Sequence, residues 1–177
     1  AFTAVVLAAV CFAVACVCFI PVKTVSLSGG ESYAPVRHGD RNGNCVSLMI
    51  NVYEGADLLP GFFDVLKKYG AKCTFFVGGC WADDHADLLV RMKEEGHEIG
   101  NHGFFHKDHK KLSEKGNSDE ISFTEAVVRQ ATGVRTALFA PPSGSYSVTT
   151  LKIAEKLGYK TVLWSKDTVD WRDKSKR

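Results

Sequence analysis

The stretch Leu59–Val77, LPGFFDVLKKYGAKCTFFV, sets a helix signature directly before a strand signature. Apolar residues at Leu59, Phe62, Phe63, Val65 and Leu66 follow helical spacing. Pro60 stands in the first turn, where its missing N–H costs no hydrogen bond, and Gly70 supplies the stop. Cys73–Val77 (CTFFV) then runs apolar without alternation, as a short strand covered on both faces does.

The same unit repeats to either side. Cys45–Val52 (CVSLMINV) reads as a buried strand ahead of it. Downstream, Asp83 or Asp84 is placed to cap a helix carrying Ala86, Leu88, Leu89, Val90 and Met92, ended by Gly96. His97–Gly100 is a third strand, and Lys107–Gly116 is polar and loop-like. Ser118 is expected to cap a helix to about Thr132, with Gly133 as its stop. Thr136–Phe139 is a strand, Pro141–Ser145 a sharp turn, Ser147 the cap of a helix to Leu157, and Lys160–Trp164 (KTVLW) a fifth strand. Strands buried on both faces, alternating with amphipathic helices, predict an α/β fold with a parallel sheet. An open doubly wound sheet and a (β/α) barrel both satisfy this pattern, and in both the site lies at the C-terminal ends of the strands.

At 177 residues the chain has room for one domain with a sizeable core. A formal net charge of +2, with the lysines and arginines scattered, gives no footing for a nucleic-acid partner. Ala1–Ile20 carries no charge, and at 1.5 Å per residue it is long enough to cross about 30 Å of hydrocarbon. It is expected to be a single membrane-spanning signal-anchor, with a cleaved signal peptide as the other reading. Residues 21–44, opened by Pro21 and rich in Ser and Gly up to Tyr33, read as a linker, and the folded domain as residues 45–177. Cys11, Cys16 and Cys18 lie in the apolar segment. Cys45 and Cys73 are expected to be small core residues, and a bridge from either to Cys80 stays open.

Four of the six histidines cluster at His97, His102, His106 and His109. His102 and His106 are spaced i, i+4, which on a helical turn sends both imidazoles the same way. Two neutral imidazoles, a carboxylate and a water suit a zinc-like divalent cation, whereas a histidine-rich surface loop would carry none of that chemistry. Polar residues follow each strand: Asn51 and Glu54, Gly78 and Gly79, His102 and His106, Pro141–Ser145, then Asp167 and Asp170. Their convergence favours a metal site. His97 is expected to be bonded within the fold, His109 to be solvated, Trp164 and Phe139 to be core, and Asp167 to cap its loop. Phe104 and Phe105 either pack under the histidines or meet sugar rings.

Four segments in order carry a family likeness: AKCTFFVGG at Ala71–Gly79, GHEIGNHGFFH at Gly96–His106, LFAPPSGSY at Leu138–Tyr146 and LWSKDTVDW at Leu163–Trp171. From about Cys45 to Trp171 the chain resembles the polysaccharide deacetylases of carbohydrate esterase family four, nearest to their membrane-anchored, sporulation-type branch in Gram-positive bacteria. The resemblance implies a distorted (β/α) barrel and metal-assisted hydrolysis of N-acetyl groups on GlcNAc or MurNAc units of cell-wall polysaccharide. It implies that His102 and His106 ligate the metal and that the Ser143 backbone amide donates to the oxyanion. Asp170 would tune a catalytic histidine. Trp171 would wall the acetate pocket, and Pro141, Pro142 and Tyr146 would line the substrate groove.

The departures are equally specific. The family's Thr-Phe-Asp-Asp-Gly is matched here by Ile50–Asp57, INVYEGAD. Aligned by the strand, Asn51 takes the place of the catalytic base, and an amide cannot accept a proton at neutral pH, although its oxygen can hold water or metal. Aligned by Gly55, Glu54 takes the metal-ligand place and Tyr53 that of the base, with Asp57 the other nearby carboxylate. The family arginine that steadies the base is Ala140 here, a coupled loss, because the arginine alone would be an unpaired buried charge. The family's Leu-x-His motif should follow Asp170 by some tens of residues, so the domain is expected to be C-terminally incomplete. The expected function is therefore an extracytoplasmic, membrane-bound deacetylase of cell-wall glycan with a divalent metal, zinc first. The alternative is a catalytically silent glycan-binding module on the same fold.

Overall fold

The computed structural model describes residues 33–40 and 42–169; the apolar segment Ala1–Ile20, Asp170 and Trp171 fall outside the described residues. Five strands, β1 (Leu48–Val52), β2 (Cys73–Val77), β3 (Glu98–Asn101), β4 (Leu138–Phe139) and β5 (Lys160–Thr161), form one sheet in the order β1-β2-β3-β4-β5. Every pairing is parallel. Among the described residues the order has no reversal, so the sheet winds in one direction and shows no doubly wound switch point there. Between the strands run helices α1 (Leu59–Lys68), α2 (Gly79–Asp84), α3 (Ala86–Glu94), α4 (Glu114–Thr132) and α5 (Val148–Lys156).

Alternation along the strands divides their side chains between two faces. Val52, Phe75, Val77 and Ile99 meet Phe63 and Leu66 of α1, Leu89 and Met92 of α3 and Val128 of α4 in one apolar cluster. Phe63 and Phe75 are fully buried, each stabilising the fold by about 1.5–3 kcal/mol relative to exposure, and their rings meet edge to face with centroids 5.4 Å apart. A smaller cluster of Ile121, Phe139, Ala154 and Tyr159 lies where α4 and α5 cover β4 and β5.

Several elements depart from expectation for local reasons. β1 begins at Leu48, and Cys45 and Val46 are exposed, because among the described residues β1 pairs only with β2 and its outer edge is uncovered. Cys45, Cys73 and Cys80 are free thiols, and burial pushes the Cys73 thiol up to about 11. Asp83 and Asp84 end α2, and His85 takes the cap position of α3. The segment expected as a polar loop already starts α4 at Glu114, capped by Ser113, whose Oγ accepts from the Gly116 N–H at 3.1 Å. β3 runs one residue further than expected, to Asn101, and β4 and β5 are only two residues each. Val36, in the segment read as linker, forms a parallel bridge with Val162. Gly133, the Ser147 cap and the helix from Leu59 stand as expected, and Thr150 completes the Ser147 cap as a capping box. Among the described residues no helix is long and apolar enough to cross a membrane.

Candidate functional site

The inner face of the sheet carries the other half of each strand. Asn51, Phe76 and Gly100 share one register row on that face. Gly100 is required there, because a Cβ would sit 2.5 Å from Phe76 Cδ1. Two residues on, with the same parity, His102 leaves the C-terminal end of β3, its N–H donating to the Val77 carbonyl at 2.9 Å.

The His102 ring is 1% exposed. Its Nδ1–H donates to the Ala140 carbonyl at 2.6 Å, which fixes the tautomer and leaves Nε2 as a bare acceptor with no partner among the described residues. Burial lowers its pKa from 6.5 to about 4, against the opposing pull of the carbonyl bond, so the ring is neutral at pH 7. His106 lies beside it, ring centroids 5.2 Å apart and planes at 63°. It too titrates below the ordinary range, through burial, opposed by a bond to its own backbone and by Glu54 and Glu120.

The expected helical turn is absent. His102 to Asp108 is irregular, with Gly103 at φ 74° and His106 itself left-handed at φ 54°. The rings are neighbours because the loop folds back, through contacts that no i, i+4 rule contains. The Asn101 amide accepts from the Gly103 N–H at 3.0 Å and donates to the Ile121 carbonyl at 2.8 Å and to Tyr159 Oη at 3.3 Å. Glu120, 3% exposed, accepts from the Phe104 and Phe105 N–H groups at 2.8 Å each through Oε2, and its Oε1 faces Lys107 Nζ at 3.4 Å.

His109 is buried, contrary to the solvated place expected from its charged neighbours. Its Nδ1–H donates to Asn117 Oδ1 at 2.8 Å. That orientation is fixed because the Asn117 NH2 donates to the carbonyls of His109, Leu112 and Ser113. Gly103 leaves room for the ring: a Cβ there would lie 2.8 Å from His109 Nε2. His97 is buried between Phe63 and Phe75, away from this loop. Phe104 packs over Gly79, whose Cβ would meet its ring at 2.3 Å, while Phe105 is exposed beneath the Lys107 ammonium.

A cavity of about 370 Å³ opens beside His106, lined also by Lys107, Asp108, Pro142, Ser143 and Ser145. Ser143 holds left-handed backbone angles, φ 55° and ψ 16°, in a turn pinned by Gly144 N–H to the Pro141 carbonyl and Ser145 N–H to the Pro142 carbonyl. Neither bond uses the Ser143 amide. Gly144 rests on the Trp164 ring, 2.8 Å from where its Cβ would be. Ser145 Oγ donates to Asp108 Oδ1 at 2.6 Å, and with Lys111 this holds the Asp108 carboxyl below the usual range. Pro141 is buried and Tyr146 half-buried, and neither lines the cavity. The Val169 N–H donates to Asp167 Oδ1, closing the loop after β5 as expected.

On the β1 side it is Tyr53 that reaches the histidines, its ring centroid 3.9 Å from that of His106 and 6.2 Å from that of His102. Asn51, Glu54 and Asp57 are exposed, Asp57 in a short 3-10 turn. Among the described residues no three His, Cys, Asp or Glu side chains gather closely enough to hold a metal ion. Glu120 and Asn117, which sequence reasoning passed over, had a signal: with Thr124 they fall on the same stripe of α4 as Ile121 and Val128.

The family model for polysaccharide deacetylase matches residues 38–162. The peptidoglycan-N-acetylmuramic acid deacetylase PdaA of Bacillus subtilis is 41% identical over 123 residues, covering 69% of this chain and 46% of that protein. The uncharacterized protein YlxY of Bacillus subtilis is 36% identical over 138 residues, covering 78% of this chain and 43% of that protein. This chain thus spans less than half the length of either relative. Among solved structures, a CE4 family pseudoenzyme from Bacillus anthracis superposes with a TM-score of 0.77 at 35% identity, covering 80% of this chain and 50% of that one. A mutant of that pseudoenzyme with restored enzymatic activity superposes with the same TM-score at 33% identity, covering 80% of this chain and 52% of that one.

Proposed function

This chain belongs to the polysaccharide deacetylase family, and we propose that it hydrolyses N-acetyl groups on GlcNAc or MurNAc units of cell-wall glycan at the His102–His106 centre. The observation that carries the reading is the buried His102 Nε2, bare, tautomer-fixed by the Ala140 carbonyl and adjacent to a second imidazole at the mouth of a cavity. A buried nitrogen lone pair without a proton donor is costly, and a ligating histidine typically bonds a backbone carbonyl through its other nitrogen. The donors fit a borderline divalent cation such as zinc in their imidazole half. His102 and His106 would hold it; Glu54, which already favours the charge on His106, is the carboxylate preferred over Asp57, and it would have to move closer to join the two rings. When bound, such an ion supplies Lewis-acid polarisation of the amide carbonyl and acidifies water.

The chain's own groups divide the remaining work. The Ser143 amide, free of the turn's own hydrogen bonds, is the donor for a developing oxyanion at the cavity wall. Asn51 orients and does not take the proton. Pro142 shapes the cavity wall; the family pattern would assign Pro141 and Tyr146 to a wider groove, and pocket-wall and tuning roles to Trp171 and Asp170, which lie outside the described residues. In this reading the sequentially ordered sheet is the wall of a distorted (β/α) barrel, and Ala1–Ile20 holds the domain on the outer side of a cell membrane. The test is acetate release from N-acetylglucosamine oligomers and peptidoglycan fragments, before and after chelation and zinc repletion. Release that chelator abolishes and zinc restores is expected; release indifferent to chelator contradicts the metal reading.

A second reading has its own support: Asn51 and Ala140 stand where the family has its base and that base's arginine, and a pseudoenzyme superposes closely. A silent glycan-binding module would bind the same oligomers, by calorimetry, and release no acetate under any metal condition.

A further inference from the structure

We propose that Glu120 is the positioning residue of the histidine loop, setting the separation of His102 and His106 from the helix behind the sheet. The inference rests on the reading of those two histidines as the functional centre. A carboxylate is almost never this deeply buried unless its oxygens are occupied. Here Oε2 accepts from two consecutive N–H groups, those of Phe104 and Phe105, which belong to the residues lying between the two histidines. Two successive amides converge on one oxygen only where the backbone leaves regular structure, as it does between left-handed Gly103 and left-handed His106. Oε1 faces the ammonium of Lys107, the residue after His106 and part of the cavity wall.

The loop has no ladder of its own to satisfy these donors. Asn101 Oδ1 accepts from the Gly103 N–H, and Glu120 Oε2 accepts from the next two. The carboxylate is therefore wrapped by the loop from its first turn to just past the second histidine. It belongs to α4, whose Ile121 and Val128 are locked in apolar clusters, so the loop inherits a rigid reference. His109 and its Asn117 partner bound the same pocket, and a Gly103 Cβ would be 3.3 Å from Glu120 Oε2 as well. No side chain fits between them.

The test compares Glu120→Ala, Glu120→Gln and a control, Val128→Ala, which opens a cavity in the same helix away from the loop. Amide hydrogen exchange is read at Phe104 and Phe105, corrected for global stability, together with the imidazole nitrogen signals of His102 and His106. Loss of the charged acceptor should speed exchange at those two amides about 10–100-fold in Glu120→Ala. Glu120→Gln keeps an oxygen that accepts both N–H groups, so its effect should be smaller, and it remains informative should the alanine variant fail to fold. The imidazole signals should move in Glu120→Ala and stay in Val128→Ala. Unchanged exchange in both Glu120 variants, or equal acceleration in Val128→Ala, overturns the proposal. A protein that releases no acetate yet shows this pattern sinks the hydrolytic reading and leaves Glu120 in its role.

Discussion

The apolar core behind the sheet and the polar cluster at its C-terminal end are built on different principles. Behind the sheet, Phe63, Phe75, Val77, Leu89 and Met92 fill a core whose contacts are chiefly apolar and interchangeable in kind. At its C-terminal end, Asn101, His102, His109, Asn117 and Glu120 are equally buried, and each depends on particular polar partners. Removing a core methylene weakens the first by degrees, whereas removing one partner in the second strands a buried polar atom. The fold is thus specified redundantly and the site is not, which is how one architecture hosts both deacetylases and a pseudoenzyme.

The largest effect expected is on the apolar side. Phe75→Ala should cost about 3–5 kcal/mol in chemical denaturation, while the imidazole signals of His102 and His106 stay where they are. Movement of those signals would mean that the core and the polar cluster are coupled. Next comes acidification. A buried histidine with a lowered pKa binds its proton more readily when unfolded, so stability is present above pH 6.5 and is lost as pH falls towards about 4. For His102 the loss approaches roughly 3 kcal/mol, measured as denaturation midpoints across that window, and burial drives His106 and His109 the same way. Phe75→Ala should keep this slope and His102→Gln should flatten it. Asn117→Ala strands the His109 Nδ1–H, and about 1–3 kcal/mol should be lost; Asn117→Asp, which keeps the acceptor, should lose less. The smallest is Ser113→Ala, about 1 kcal/mol, which checks that α4 starts there.

The same contrast explains what could be read from the residues alone. Strands β2 and β3 and helix α1 were legible because burial on both faces and helical spacing are local signals. The end of β1 as an exposed edge was not, since the strand's composition matches a covered one and only its missing neighbour decides. Near the site, the His102 and His106 rings do lie side by side, but not through a helical turn: they meet through Gly103, Glu120 and Asn101, over separations of up to 58 residues. His109 looked solvated because Asp108, Lys110 and Lys111 surround it in sequence, yet its ring bonds Asn117, one turn into α4, and packs against Phe139. Glu120 was visible as a polar residue on an apolar stripe, a signal that needs the helix register before it can be used.

The most direct test of the His102–His106 centre is zinc titration of the metal-stripped protein by calorimetry, with His102→Ala and His106→Ala alongside. One site per chain in the wild type, lost in both variants, is the predicted result. No site in the wild type, or the same heat in all three proteins, contradicts it.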